Sequence, residues 1–229
     1  MDFESGWWSY LGGQWSKNGW WYYYLVALLF KEPLGEFVLL ALAAGSVTLG
    51  FAKGRLEDVT FVVLPALLLV FFSASTAQIG IRYLLPMMPL IFVCLGRLAV
   101  GWSSQSLRRR VVIGLATAWM TVTSLSYHPH YLCYFNELIG PRINNYKVLA
   151  DSNVDWEQNQ YYLEDYVAAR PGQTISLRPE QPTTGTVIIS LNKLVGVTGQ
   201  PGRYAWLRHY EPVDQIAYTY FVFEIDELK

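Results

Sequence analysis

A chain of 229 residues with 15% charged and 16% aromatic residues is poorer in charge than an ordinary soluble domain, about 25% of which is charged. Its 17 basic and 18 acidic groups give a net charge of −1, which excludes a nucleic-acid partner held by bulk positive charge. Two cysteines exclude a disulfide scaffold, and no Cys/His spacing marks a structural zinc.

Along the chain the first elements are aromatic. Asp2 and Glu4 precede Trp7, Trp8, Trp15, Trp20 and Trp21, so five of the nine tryptophans lie before residue 22. No basic segment followed by an apolar run marks a signal peptide. Rings in such number suit the headgroup level of a bilayer. Residues 20–30 are expected to form an interfacial helix that ends at Lys31-Glu32-Pro33, where proline closes one helix and can open the next.

Four apolar runs follow, at residues 34–52, 59–75, 83–100 and 111–127, with Pro65 expected as a kink in the second. A bilayer core asks for about 20 apolar residues as helix. The runs therefore predict an α-helical membrane domain of about four transmembrane helices, followed by a small soluble α/β domain. The expected division is an outer aromatic loop and interfacial helix at 1–33, a four-helix transmembrane region at 34–127, and an extracytoplasmic α/β domain at 128–229. Lys53 and Arg55 lie between the first two runs, and Arg97, Arg108, Arg109 and Arg110 lie at or between the last two. The positive-inside rule then places those loops in the cytoplasm and both chain ends outside. The expected location is a multi-pass integral membrane protein of the plasma or inner membrane. An outer loop at the very start further suggests that spans upstream of Met1 belong to the same protein.

After Tyr127 the pattern turns to short β-rich runs. Residues 147–150 are a candidate strand leading into Asp151-Ser152-Asn153, and Asp155 with Gln158 forms a capping-box pattern ahead of a helix that carries Trp156 on its buried face and stops at Pro171-Gly172. Residues 186–191 and 217–225 read as strands, 192–195 and 204–210 as short helical pieces.

The residues able to carry chemistry are few. Arg82 beside Tyr83 can grip a phosphate bidentately with help from a phenol; snorkelling to the headgroups accounts for the same pair. Lys31 presents the same two alternatives. Asp151, Asp155 and Glu157 offer hard oxygen ligands to a divalent cation, against helix capping by Asp155. His128 and His130, as His-Pro-His, are a weak metal signal. Cys94 and Cys133 fall in different environments and are not expected to pair.

Several strings together resemble the C-terminal part of GT-C membrane glycosyltransferases, in their family-39-like, protein-mannosyltransferase-like bacterial branch. They are Trp21–Tyr24 with Lys31-Glu32-Pro33, Ile81-Arg82-Tyr83-Leu84-Leu85-Pro86 with Pro89, Tyr134–Gly140, Asp151-Ser152-Asn153-Val154-Asp155-Trp156, and Tyr204–Arg208. The likeness spans nearly the whole chain, and the Arg-Tyr and Asp-Ser-Asn-x-Asp-Trp strings are its specific parts. One departure is visible: the family usually has Gly-Gln after that tryptophan, and here Glu157 precedes Gln158. The resemblance implies transfer of a sugar from a polyprenyl-phosphate donor to an unidentified acceptor outside the cytoplasm, with membrane lipid as surroundings. The acidic loop that such enzymes carry near their N-terminus has no counterpart here, so no catalytic residue is assigned. The alternative is a non-catalytic membrane protein whose outer α/β domain binds a partner or a glycan.

Overall fold

The computed structural model describes residues 8–52, 56–76, 78–198 and 202–228, without the side chains of 46–59. The chain opens with a hairpin of β1 (Ser9–Leu11) and β2 (Gln14–Ser16). Its turn needs two residues with positive φ, and Gly12 and Gly13 supply them at 58° and 82°. Helix α1 (Tyr23–Lys31) follows, then α2 (Leu34–Ala52) and α3 (Leu56–Ser73), which runs through Pro65. A 3-10 stretch, Ile81–Met87, passes directly into α4 (Met88–Gly96), and α5 (Leu107–Leu125) is capped by the Ser106 side chain.

The second half holds a series of 3-10 turns, then α6 (Gln160–Ala168), β3 (Ile175–Leu177), β4 (Gly185–Ser190), α7 (Leu191–Val195), β5 (Asp214–Ile216) and β6 (Tyr220–Ile225). The four strands form one mixed sheet in the order β3-β4-β6-β5, with β3 parallel to β4 and the other pairs antiparallel. Side chains alternate across a strand, and the sheet uses both faces. Val187, Ile189, Phe221 and Phe223 enter the main core. Ile188, Ile216, Tyr220 and Val222 face α6 through Leu163. The main core is continuous along the sequence: Tyr10, Tyr23, Tyr24, Leu84 and Met87 pack with Leu149, Leu191 and the sheet.

This architecture corrects the expectation of an α-helical membrane domain with about four transmembrane helices. The protein is a mixed α/β fold with a small mixed sheet. Among the described residues one stretch, Ile81–Ala99, is long and apolar enough to cross a bilayer, and it is partly exposed. That stretch is itself not one regular helix, because Pro86 and Pro89 divide it into a 3-10 part and an α part. The described apolar parts of α2 and α3, Leu34–Gly45 and Thr60–Ser73, are shorter than a span. Helix α5 carries Arg108, Arg109 and Arg110 in its first turn and has the hydroxyl residues Thr117, Thr121, Thr123 and Ser124 along its length. A multi-pass topology is therefore not shown. Lys53 and Arg55, on which half of the charge argument rests, lie outside the described residues, as do Asp2 and Glu4.

Smaller corrections are local. Residues 147–150 form no strand; a 3-10 turn, Arg142–Lys147, precedes an irregular segment. The helix expected after Asp155 begins only at Gln160. The last strand begins at Tyr220, because Ala217 and Tyr218 are left-handed (φ 48° and 63°) in the turn from β5.

Candidate functional site

The Asp-Ser-Asn string is a 3-10 turn, Asp151–Asn153, with Asp151 itself left-handed at φ 59°, a conformation aspartate tolerates better than most residues. Asn153 is fully buried and ties three segments together. Its amide donates to the Tyr23 hydroxyl at 2.9 Å and to the Ala150 carbonyl at 3.1 Å. Its side-chain oxygen accepts from Ile81 N at 2.9 Å, one residue before Arg82. Gly80 makes that approach possible, since a Cβ there would stand 2.9 Å from Ser152 Cβ. Asn192, on α7, holds the other side of the loop: its oxygen accepts from Asp151 N at 2.7 Å and its amide donates to the Asp155 carbonyl at 3.3 Å.

This framework presents Trp156 outward. The indole N–H donates to the Ser152 carbonyl at 3.2 Å, yet the residue is 55% exposed. Against its ring lies the Arg82 guanidinium, 4.4 Å from the ring centroid, with Tyr83 on another side at 5.3 Å. Arg82 makes no hydrogen bond or ion pair with a described residue. A cation–π contact holds the guanidinium at the ring while leaving its N–H groups available.

Arg82 and Trp156 line a cavity of about 350 Å³ together with Asp151, Asp155, Glu157, Tyr220, Arg178 and Lys193. Burial raises both aspartates above the usual carboxylate range; N–H groups of Ser152 and Glu157 offset this, and Arg82 near Asp151 and Arg178 near Asp155 pull the same way. Asp155 accepts from Glu157 N at 2.8 Å and Gln158 accepts from Trp156 N at 2.6 Å. The two side chains thus stabilise a turn, and the N-cap position of α6 is Asn159. Glu157 is left-handed at φ 63°.

The other candidates separate from this cavity. Lys31 is buried beneath the loop, donating to the carbonyls of Leu132 at 2.8 Å and Asn153 at 2.7 Å, with the Phe135 ring 4.6 Å away. Burial pushes its ammonium down to about 7. No group of three Asp, Glu, His or Cys side chains among the described residues is placed to hold a metal ion, so Asp151, Asp155 and Glu157 do not converge on a cation. His130 is engaged with Asn159 at 3.1 Å and His128 with the Tyr131 hydroxyl at 3.0 Å. Cys94 and Cys133 are both free and buried, and burial pushes the Cys133 thiol up to about 12, which makes it inert.

Arg178, Lys193 and Asn192 carry no motif, and the sequence reading passed over them. The only trace is positional. Arg178 closes β3 just before Pro179, and Asn192 and Lys193 follow β4 directly, the strand end where loops gather functional groups in α/β folds. No protein-family model, curated protein or solved structure matches this chain.

Proposed function

We propose that this chain is the C-terminal portion of a membrane glycosyltransferase that takes its sugar from a polyprenyl-phosphate donor, with Arg82 as the residue that grips the donor phosphate. The observation that carries the reading is the arginine in contact with the rings of Trp156 and Tyr83 at a cavity wall, with its donors unspent. In such a transfer the acceptor oxygen bonds to the sugar's anomeric carbon while the bond to the phosphate oxygen breaks, and the acceptor's hydroxyl proton passes to a base, a role to which no residue of this chain is assigned. The charge that develops on the leaving phosphate needs a fixed donor pair, which a guanidinium supplies. Lipid placement is supported by the apolar side chains left exposed just before and after Arg82. Leu67, Val70 and Phe71 on α3 and Phe92 and Val93 on α4 are each more than half exposed, large apolar side chains of the kind that lie against lipid or a partner.

The test is binding of a short polyprenyl phosphate to the protein in detergent micelles. Arg82→Ala is expected to weaken binding at least tenfold and Arg82→Lys to fall between, because an ammonium keeps the charge and loses the planar fork. Unchanged binding by a folded Arg82→Ala protein overturns the assignment.

A further inference from the structure

The cavity has a second cationic wall, which the donor phosphate on Arg82 does not explain. Arg178 is exposed and Lys193 half-buried on the wall formed by the end of β3 and by α7. Neither makes an ion pair with a described carboxylate. Burial and the neighbouring Arg178 push the Lys193 ammonium down, with the Glu157 carboxylate opposing them, so the two cations are near neighbours. Arg178 is also left-handed at φ 53°, a region costly for a side chain with a Cβ. Three carboxylates share the cavity: Asp151 and Asp155 accept backbone N–H groups of their own loop, and Glu157, whose charge is felt at Lys193, closes no ion pair with either cation. The exposed Trp156 ring lines the same cavity and offers the apolar face against which a sugar ring packs, while the buried Tyr220 side chain lines it with its hydroxyl toward Arg178.

We propose that Arg178 and Lys193 form a second anion subsite, and that the second substrate entering this cavity is an acidic saccharide, with its phosphate or carboxylate on these two residues and its ring toward Trp156. The inference rests on the transfer reading above and names the acceptor class for it. A cavity of about 350 Å³ is at the lower end of ligand pockets, room for one or two sugar rings.

The test uses the full chain in detergent with glucose 6-phosphate, glucuronate and glucose as probes, followed by ligand-observed NMR. Both acidic sugars are expected to bind at least tenfold more tightly than glucose, with affinity falling as salt rises. Arg178→Gln combined with Lys193→Gln should remove that preference at unchanged melting temperature, and Arg178→Lys should keep part of it. The same double variant should still bind polyprenyl phosphate, while Arg82→Ala should lose the lipid and keep the acidic sugar. Equal binding of glucose and the acidic sugars, or an undiminished preference in the double variant, overturns the subsite. Loss of lipid dependence on Arg82 alone instead overturns the donor assignment and leaves the subsite standing.

Discussion

Glu157 shows how one residue can carry both a sequence signal and a structural cost. The resembled family places glycine at this position, and here the residue has φ 63°, which costs a side chain with a Cβ about 1–2 kcal/mol. Glycine would recover that cost less its larger unfolded-state entropy. Glu157→Gly is therefore expected to stabilise the protein by about 0.5–1 kcal/mol, read as a rise in melting temperature; a fall would mean that the Glu157 side chain makes up for its backbone. Trp156 is the opposite case. The sequence pattern suggested a buried face, but the tryptophan sits in a turn before α6 and is 55% exposed. Trp156→Ala should therefore cost no more than about 1 kcal/mol, well below the roughly 3–5 kcal/mol of a core tryptophan, while weakening polyprenyl-phosphate binding by releasing Arg82. A core-sized loss of stability would overturn this account of the site. Arg82 stands out in the sequence as an arginine beside a tyrosine at an apolar boundary, and the structure sets it against Trp156. Arg178 was not legible, because a left-handed residue at a strand end leaves no pattern in the sequence.

At the scale of elements, periodic signals were read correctly and aperiodic ones were not. The β-branched run at 186–191 appears as β4, Gly185–Ser190. The aromatic segment before Lys31 appears as α1, Tyr23–Lys31. The 3-10 turns of residues 131–153 have no repeating apolar face, since their i→i+3 bonding seldom persists beyond a turn or two. The four-span expectation failed because counting apolar residues ignores what surrounds and divides them, here Pro86 and Pro89 within one run and the arginines that open the helix holding another. The pairing of α2 with α5 shows a constraint that composition does not reveal. At Gly35 a Cβ would collide with the carbonyl oxygen of Ala116, a backbone atom that cannot rotate away. Gly35→Ala should thus force the helices apart and destabilise the protein by about 1–3 kcal/mol, whereas Gly114→Ala, with open space at its Cβ, should be neutral or slightly stabilising on α5. Equal melting temperatures for the two variants would mean that the close approach contributes nothing.

At the scale of the molecule, contacts between distant parts of the sequence decide the architecture, and these are least visible in a linear reading. Division at residues 33 and 127 followed composition, yet α1 and the hairpin share a core with the sheet. Lys31 is the polar counterpart of that shared core, joining α1 to carbonyls 101 and 122 residues away. It was considered for phosphate binding because a lysine at an interface looks the same whether it faces a headgroup or a buried carbonyl. Its burial has a thermodynamic consequence. The ammonium titrates near 7 in the folded protein and near 10.4 in an unfolded chain. Between those values the unfolded state holds the extra proton, so this group adds stability as pH rises, by at most about 1.4 kcal/mol per pH unit. Below pH 7 both states are protonated and the cost of the buried charge is felt in full. Glu32 acts in the opposite sense, because burial and the Glu36 carboxyl beside it hold its proton on, and the raised Cys133 thiol opposes the trend above pH 9. The lysine contribution must therefore be read as a difference. The stability of the native protein minus that of Lys31→Met, measured by thermal unfolding in one detergent, is expected to increase steadily from pH 7 to pH 9. Parallel curves would show that Lys31 keeps its proton in the folded state, with the Leu132 and Asn153 carbonyls and the Phe135 ring fully replacing its lost water.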